Sequence, residues 1–293
     1  KDQKTFYDAR ALEIKNLLDL GAYRLMSLEE SLKFREDHPD SVLPSKWVER
    51  WKTTDEGGYK AKSRIVILGF KDPHVLQLER SAPTPTNEAF TVTMLNLASL
   101  KRAAWSSDIK NAFGQSRKTT RSQRLGAGLP SGLAEILGCD PRQVLSCDTE
   151  VYGLISGPSW LRQSLVSDFE AMGYHRNPYD KCMMMLPSED PNSVINEGVI
   201  FIEVDDILEG GSAIHRKRME IFYDKYKCGK KKKLIDLGSE GTLISGIRVI
   251  QHKDFTFTWH MDEYVDKTLN AIDVPRGFIS TTTEFNESKM SPV

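Results

Sequence analysis

The chain has 293 residues, 39% hydrophobic and 28% charged, with a formal net charge of −1. That length supports one large domain or two smaller ones with a real core, and the near-neutral total excludes a partner attracted by net charge alone. No stretch is long and apolar enough for a membrane span, so no membrane partner is expected. Charge is nevertheless uneven along the chain. Lys46 to Lys71 carries seven Lys/Arg against three acids, Lys101 to Arg124 seven against one, and Ser212 to Gly238 nine against three. One such block reads as a solvated face; three together point to a polyanionic partner. Cys139, Cys147, Cys182 and Cys228 form no Cys-x-x-Cys pair. That argues against a zinc site or a disulfide framework and fits a reducing compartment. The charged start, Lys-Asp-Gln-Lys, lacks both an apolar signal core and an initiating Met. A segment of a longer chain is therefore expected.

In chain order, residues 8–36 read as helix through Leu12, Ile14, Leu17, Leu18, Leu20 and Leu25, with Gly21 as a break. Trp47–Trp51 and Ser63–Phe70 read as a basic hairpin turning at Asp55-Glu-Gly-Gly58. Asn87 is expected to cap a helix running to about Lys101. Trp105–Ile109 reads as a short strand, Arg117–Gly138 as loop, and Ser146–Leu154 as strand then turn. Pro158–Met172 presents an apolar face of Trp160, Leu161, Leu165, Phe169 and Met172, the mark of an amphipathic helix. Cys182–Leu186 and Val199–Val204 read as strands, with a return strand starting at Ile207. Ala213–Tyr226 is a basic helix. Leu243–Ile250 and Phe255–Trp259 form a hairpin around His252-Lys-Asp254, Met261–Ala271 a short helix, and the stretch from Ser280 a frayed tail. Strands and helices mix without a βαβ rhythm, which predicts an α+β fold.

The chemistry concentrates at Asp205-Asp206, at the end of the apolar run Val199-Ile-Phe-Ile-Glu-Val204. Adjacent carboxylates repel, and a divalent cation with oxygen ligands relieves them. Asp108 ends another short strand, 97 residues earlier. Carboxylates from two neighbouring strands can hold two metals about 4 Å apart for an in-line phosphoryl displacement. Turn residues capping exposed strand ends give the same pattern, and these bare residues leave both readings open.

The flanking motifs resemble the reverse transcriptase domain of copia-type LTR retrotransposons, in order from about Lys46 to Leu269. They are Lys60-Ala-Lys-Ser-Arg-Ile-Val-Ile-Leu-Gly-Phe-Lys71, Ser81-Ala-Pro83, Ser107-Asp-Ile-Lys-Asn-Ala-Phe113, Leu129-Pro-Ser-Gly132, Glu150-Val-Tyr-Gly-Leu154 through Trp160, Tyr179-Asp-Lys-Cys182, Glu203-Val-Asp-Asp-Ile207 and Leu243-Ile-Ser-Gly-Ile247. The resemblance implies a right-hand polymerase fold of fingers, palm and the start of a thumb, the palm being an antiparallel sheet packed on helices. It divides the chain into an N-terminal helical extension (1–45), fingers and palm with a connection toward the thumb (46–272) and a C-terminal tail (273–293). It implies catalytic metal ligands at Asp108, Asp205 and Asp206 for two Mg²⁺ ions, with Mn²⁺ as a substitute. The incoming triphosphate would meet Lys62 and Arg64, its sugar Phe113, and the nascent pair Tyr152 and Gly153, where glycine admits a ligand. Arg216, Lys230, Lys231, Lys232, Lys233 and Gly246 would track template and primer.

The resemblance further implies deoxynucleotides and an RNA or DNA template with primer as partners. It also implies integrase and ribonuclease H segments of a parent polyprotein, and cytoplasmic particles with later nuclear entry. One departure concerns the site itself. Glu203 stands where the family carries an aromatic, and strand alternation puts it on the same side as Asp205. A further carboxylate there is expected to repel primer phosphates. The other expectations are thus an inactive nucleic-acid-binding module from a decayed element, or a non-catalytic scaffold.

Overall fold

A computed structural model describes residues 2–54 and 57–268. The protein is α+β, built on antiparallel sheets. The N-terminal part contains α1 (Asp2–Asp19), β1 (Tyr23–Leu25), α2 (Leu28–Asp37), β2 (Val42–Leu43), and the long hairpin β3 (Ser45–Thr53) and β4 (Tyr59–Ile67). The helical stretch expected over 8–36 breaks at Gly21 as expected, with the short strand β1 intervening before α2. Gly21, at φ +65°, ends α1, and Ser27 caps α2 by accepting the Glu30 N–H. The β3–β4 pairing holds from Ser45↔Ile67 to Thr53↔Tyr59. Asp55 and Glu56 of the expected turn lie outside the described residues.

Next come α3 (Asn87–Ser99), β5 (Ala104–Asp108), β6 (Gly126–Gly128), α4 (Leu133–Leu137) and β7 (Val144–Cys147). Thr86, not Asn87, caps α3, its hydroxyl accepting the Ala89 N–H. The stretch 117–138 is not wholly loop. β6 pairs with both β2 and β7, and a Cβ at Gly126 would meet Val144, so small residues there hide a strand from a propensity reading. β1, β7, β6 and β2 make a four-stranded sheet. Ile14, Leu17, Tyr23, Leu43, Ile65, Leu145 and Leu154 share one buried cluster. Residues of the first 45 thus share a core with later strands.

The remaining elements are α5 (Gly157–Ala171), β8 (His175–Arg176), β9 (Met183–Leu186), β10 (Gly198–Glu203), β11 (Asp206–Gly211), α6 (Ala213–Lys225), β12 (Lys232–Lys233), β13 (Thr242–Ile244), β14 (Ile247–Gln251), β15 (Phe257–His260) and α7 (Asp262–Thr268). The expected strand 243–250 breaks in two at Ser245-Gly246, both at positive φ, a two-residue hairpin turn. The expected end of the last helix at Ala271, and the tail, lie outside the described residues. Among the described residues no helix is long and apolar enough to cross a membrane, and the four cysteines are free.

The central sheet runs β12-β5-β11-β10-β9-β8, antiparallel throughout. Both faces are covered. Ile200, Ile202 and Ile207 pack under α5 and α6 with Leu161, Leu165, Phe169 and Phe222. Phe201 and Leu208 pack on the other face with Phe90, Leu97, Ile244 and Val249. Phe169 is fully buried and stacks on Phe222 with centroids 4.8 Å apart. Phe169→Ala should lower the unfolding free energy by about 3–5 kcal/mol in urea titrations. Phe169→Leu, which refills most of the space, should cost clearly less.

Candidate functional site

Strand register gathers the acids. In the β10–β11 hairpin Glu203 and Asp206 are the last partners, and Val204-Asp205 is the turn between them. On the other side of β11, Asp206 is the partner of Asp108. Partner residues of antiparallel strands project from the same face, so Glu203, Asp206 and Asp108 form a row across three strands. The expected alternation of Glu203 with Asp205 fails because Asp205 is a turn residue. Glu203 shares its face with Asp206 instead. Val204 holds φ +54°, a conformation that a β-branched residue adopts at a cost. The Ile109 N–H donates to the Asp205 carbonyl at 2.8 Å, tying the turn to the end of β5.

The row is electrostatically unrelieved. Lost hydration and the charges of Asp205, Asp108 and Glu203 push Asp206 up to about 6, although part of the residue remains exposed. Burial, then Asp205, raises Glu203. One Glu203 oxygen, Oε2, is buried with no hydrogen-bond partner. This donor set is all carboxylate oxygen, and its excess charge and orphaned acceptor suit a hard divalent cation. Among the described residues no three His, Cys, Asp or Glu side chains already close round one point. Any such ion would therefore take part of its shell from water or substrate oxygens, as Mg²⁺ does.

Facing Asp108, Asp205 and Asp206 is a cavity of about 640 Å³ whose other walls are α1 and the β3–β4 hairpin. Its far side carries Arg50, Lys52, Lys60, Lys62 and Arg64, with Lys110 near the aspartates. Burial, then the Arg64 and Lys52 charges, lowers the Lys62 ammonium. The Arg64 guanidinium lies 5.1 Å from the centre of the Tyr152 ring, which meets Phe113 edge-on at 4.7 Å. Burial, the largest cause, pushes the Tyr152 phenol up to about 12. Lys62, Arg64, Phe113 and Tyr152 are thus brought together. Gly153 has a packing role that its motif did not indicate. It stands at φ +94°, and a Cβ there would collide with the Ile67 carbonyl. The Ile67 N–H donates to the Tyr152 carbonyl at 2.9 Å. The close backbone approach seen here is to β4.

Glu13 on α1, unmentioned by the motifs, lines the same cavity. It is 6% exposed, and its Oε1 has no partner. Its only sequence signal is an acid one turn before Leu17, on the apolar stripe of the helix.

The expected nucleic-acid residues divide. Lys230 and Lys232 line a second cavity, of about 90 Å³, with Asp108, Asp206 and Thr242–Ile244. Lys231 covers the Tyr223 ring at 4.2 Å, and Lys233 pairs with Asp236 at 3.7 Å. Arg216 is no free cation: it is the counter-ion of the fully buried Glu209 and lies over Trp105. The basic residues of α6 give no sign of this pairing in the sequence, because Glu209 lies on the strand beneath the helix. Gly246, at φ +78°, forms the tip of the β13–β14 turn with open space round its Cα.

In comparisons with known proteins, no family model matches the chain and no curated protein matches it significantly.

The raised Asp206 has a signed consequence. Its folded value, about 6, exceeds the ordinary carboxylate value of about 4, so the stability it contributes is present below pH 4 and is lost as pH rises through 6. In divalent-free buffer, Asp206→Asn should melt close to wild type at about pH 4.5 and above wild type at pH 7.5. Equal differences at both pH values in thermal melts would show that the repulsion is absent.

Proposed function

We propose that the chain is an RNA-directed DNA polymerase domain of the copia-type reverse transcriptase class, adding deoxynucleotides to a primer 3′-hydroxyl. The single observation carrying this reading is the pairing of Asp108 with Asp206, beside the Asp205 turn, across a cavity from Lys62 and Arg64. Acids on one wall and cations on the other suit a reaction that holds a triphosphate while an oxygen nucleophile attacks it. In this reading β5, β10 and β11 are palm, β3–β4 fingers, and β13–β15 the start of the thumb. Asp108, Asp205 and Asp206 would hold two Mg²⁺ ions, which when bound supply charge neutralisation and a more acidic 3′-hydroxyl. Lys62 and Arg64 bind phosphate oxygens, with the Arg64 guanidinium lying over the Tyr152 ring. Tyr152 and Phe113 form the aromatic floor on which the sugar rests. Lys230 and Lys232, beside the aspartates, contact the primer backbone. Template, primer and deoxynucleotides are the proposed partners, with integrase and ribonuclease H as companion segments in cytoplasmic particles.

Turn capping accounts for these aspartates poorly. Among the aspartates that do cap turns, Asp140 and Asp254 accept hydrogen bonds from Arg142 and Thr256, and both are lowered, Asp140 to about 2. Asp206 is driven the opposite way by burial and like charge. A second reading, an inactive nucleic-acid-binding module, is favoured by Glu203, whose carboxylate adds to the row where the primer end would lie.

Primer extension on an RNA template with Mg²⁺ or Mn²⁺ tests the proposal. Wild type should incorporate nucleotides, chelator should stop it, and Asp205→Asn should reduce the rate at least about 10²-fold. Retained extension in Asp205→Asn would rule the assignment out. Glu203→Tyr should raise single-nucleotide extension by lowering the primer KM; equal rates would show that Glu203 does not oppose the primer. Salt-sensitive binding without incorporation in either protein would establish the binding-module reading.

A further inference from the structure

We infer that Glu13 is a built-in counter-ion for the cavity's cation cluster, whose charge an incoming triphosphate must cancel by driving one proton onto it. This rests on the triphosphate-binding reading of the same cavity and adds to it a residue that gates ligand affinity.

Placement comes first. α1 lies along β4, and Glu13 lines the cavity with Lys62 and Arg64. It is buried, yet Oε1 is unpartnered, which a structural carboxylate avoids. The nearby acid on β3, Glu49, is fully committed: it takes Arg10 at 2.7 Å and the Ser63 hydroxyl at 3.1 Å. Glu13 has no such fixed partner at Oε1 and feels Lys62 and Arg64 across space. Besides these two cations, its charge is felt by the Tyr23 phenol from β1 and the Tyr152 phenol from the turn after β7. Neither phenol ionises near neutral pH, so the cations and the ligand decide its state.

Burial outweighs Lys62 and Arg64 and raises Glu13 to about 7. In the empty cavity it is therefore poised between charged and neutral forms. A triphosphate on Lys62 and Arg64 takes away the two charges that favour the carboxylate and brings several negative ones close to it. Protonation follows, and the resulting O–H can donate to a phosphate oxygen. The sign follows by linkage: binding takes up a proton, so affinity falls as pH rises through 7, at most about tenfold per pH unit. A carboxylate that only oriented the cations would behave oppositely, because its removal would weaken binding.

The test is calorimetry with Mg²⁺-saturated inorganic tripolyphosphate and with dTTP, between pH 6.5 and 8.5, in two buffers of different ionisation enthalpy. Glu13→Gln keeps the shape and the neutral state that burial favours, and its thermal midpoint at pH 7.5 should equal or exceed that of wild type. Wild type should take up a proton on binding near pH 7.5 and lose affinity toward pH 8.5. Glu13→Gln should lose that uptake, bind with a flat pH profile, and bind several-fold more tightly than wild type at pH 8.5. Unchanged uptake, or weaker binding, in Glu13→Gln overturns the inference and leaves the polymerase reading standing. Glu13-dependent proton uptake on tripolyphosphate binding, without primer extension, supports the inference and removes the polymerase reading. Absence of triphosphate binding by both proteins overturns both.

Discussion

Repulsion among Glu203, Asp205, Asp206 and Asp108 is the constraint around which the structure is arranged. Strand pairing forces three of these acids into one row, and a tight turn with Val204 at positive φ presents the fourth. Such a row relaxes if the register can slip. Here it cannot slip cheaply, because moving β10 or β11 by one residue would exchange the residues buried on its two faces. Ile202 and Ile207 are held under α5 and α6, while Phe201 and Leu208 are held on the opposite side. Apolar burial on both faces therefore supports charge concentration at the end of the sheet.

Clustered charges in the protein fall into two groups. Arg121 lies between Asp72 and Glu150, with Ser156 and Thr119 completing the Glu150 shell, and Glu150 is lowered by those partners against its own burial. Glu209 accepts from Tyr223 and Arg216 and faces His215, whose Nδ1 meets the Tyr174 hydroxyl at 2.8 Å. These groups hold elements together, and their carboxylates are paired within the chain. Glu13, Glu203 and Asp206 are raised, and Glu13 and Glu203 each leave an oxygen without a partner. Satisfied networks mark scaffold, and unrelieved ones mark surfaces that meet something from outside.

The N-terminal helix belongs to this second group as well as to the core. Ile14 and Leu17 anchor it among β4 and β7, and Glu13, next in sequence to Ile14, is turned to the cavity. One element thus fixes the position of the basic hairpin and contributes the only acid on that wall of the cavity among the described residues. The hairpin brings Arg50, Lys52, Lys60, Lys62 and Arg64 onto two paired strands, where their mutual repulsion disposes the wall toward an anion.

The amino-acid order by itself determined the elements with strong periodicity: the hairpin carrying Lys62 and Arg64, the helix with Leu161, Leu165 and Phe169 on one face, and the apolar strand ending at Asp205-Asp206. Local alternation and spacing encode these directly and also single out Asp108, whereas Tyr152 and Phe113 came only from the motif resemblance. Tertiary structure decided what depends on partners distant in the chain. β6 is a strand only because β2 and β7 flank its glycines. Glu203 faces Asp206 only because the turn falls at Val204-Asp205. Gly153 serves β4 because the turn after β7 lies against Ile67, and Arg216 serves Glu209 because α6 covers β11. Glu13 is only an acid on an apolar helix stripe until α1 docks on β4. The reason is common to all of these: hydrogen-bond registry and burial are set by contacts between segments remote in sequence, and they determine which side chains can find a partner and which are left facing the cavity.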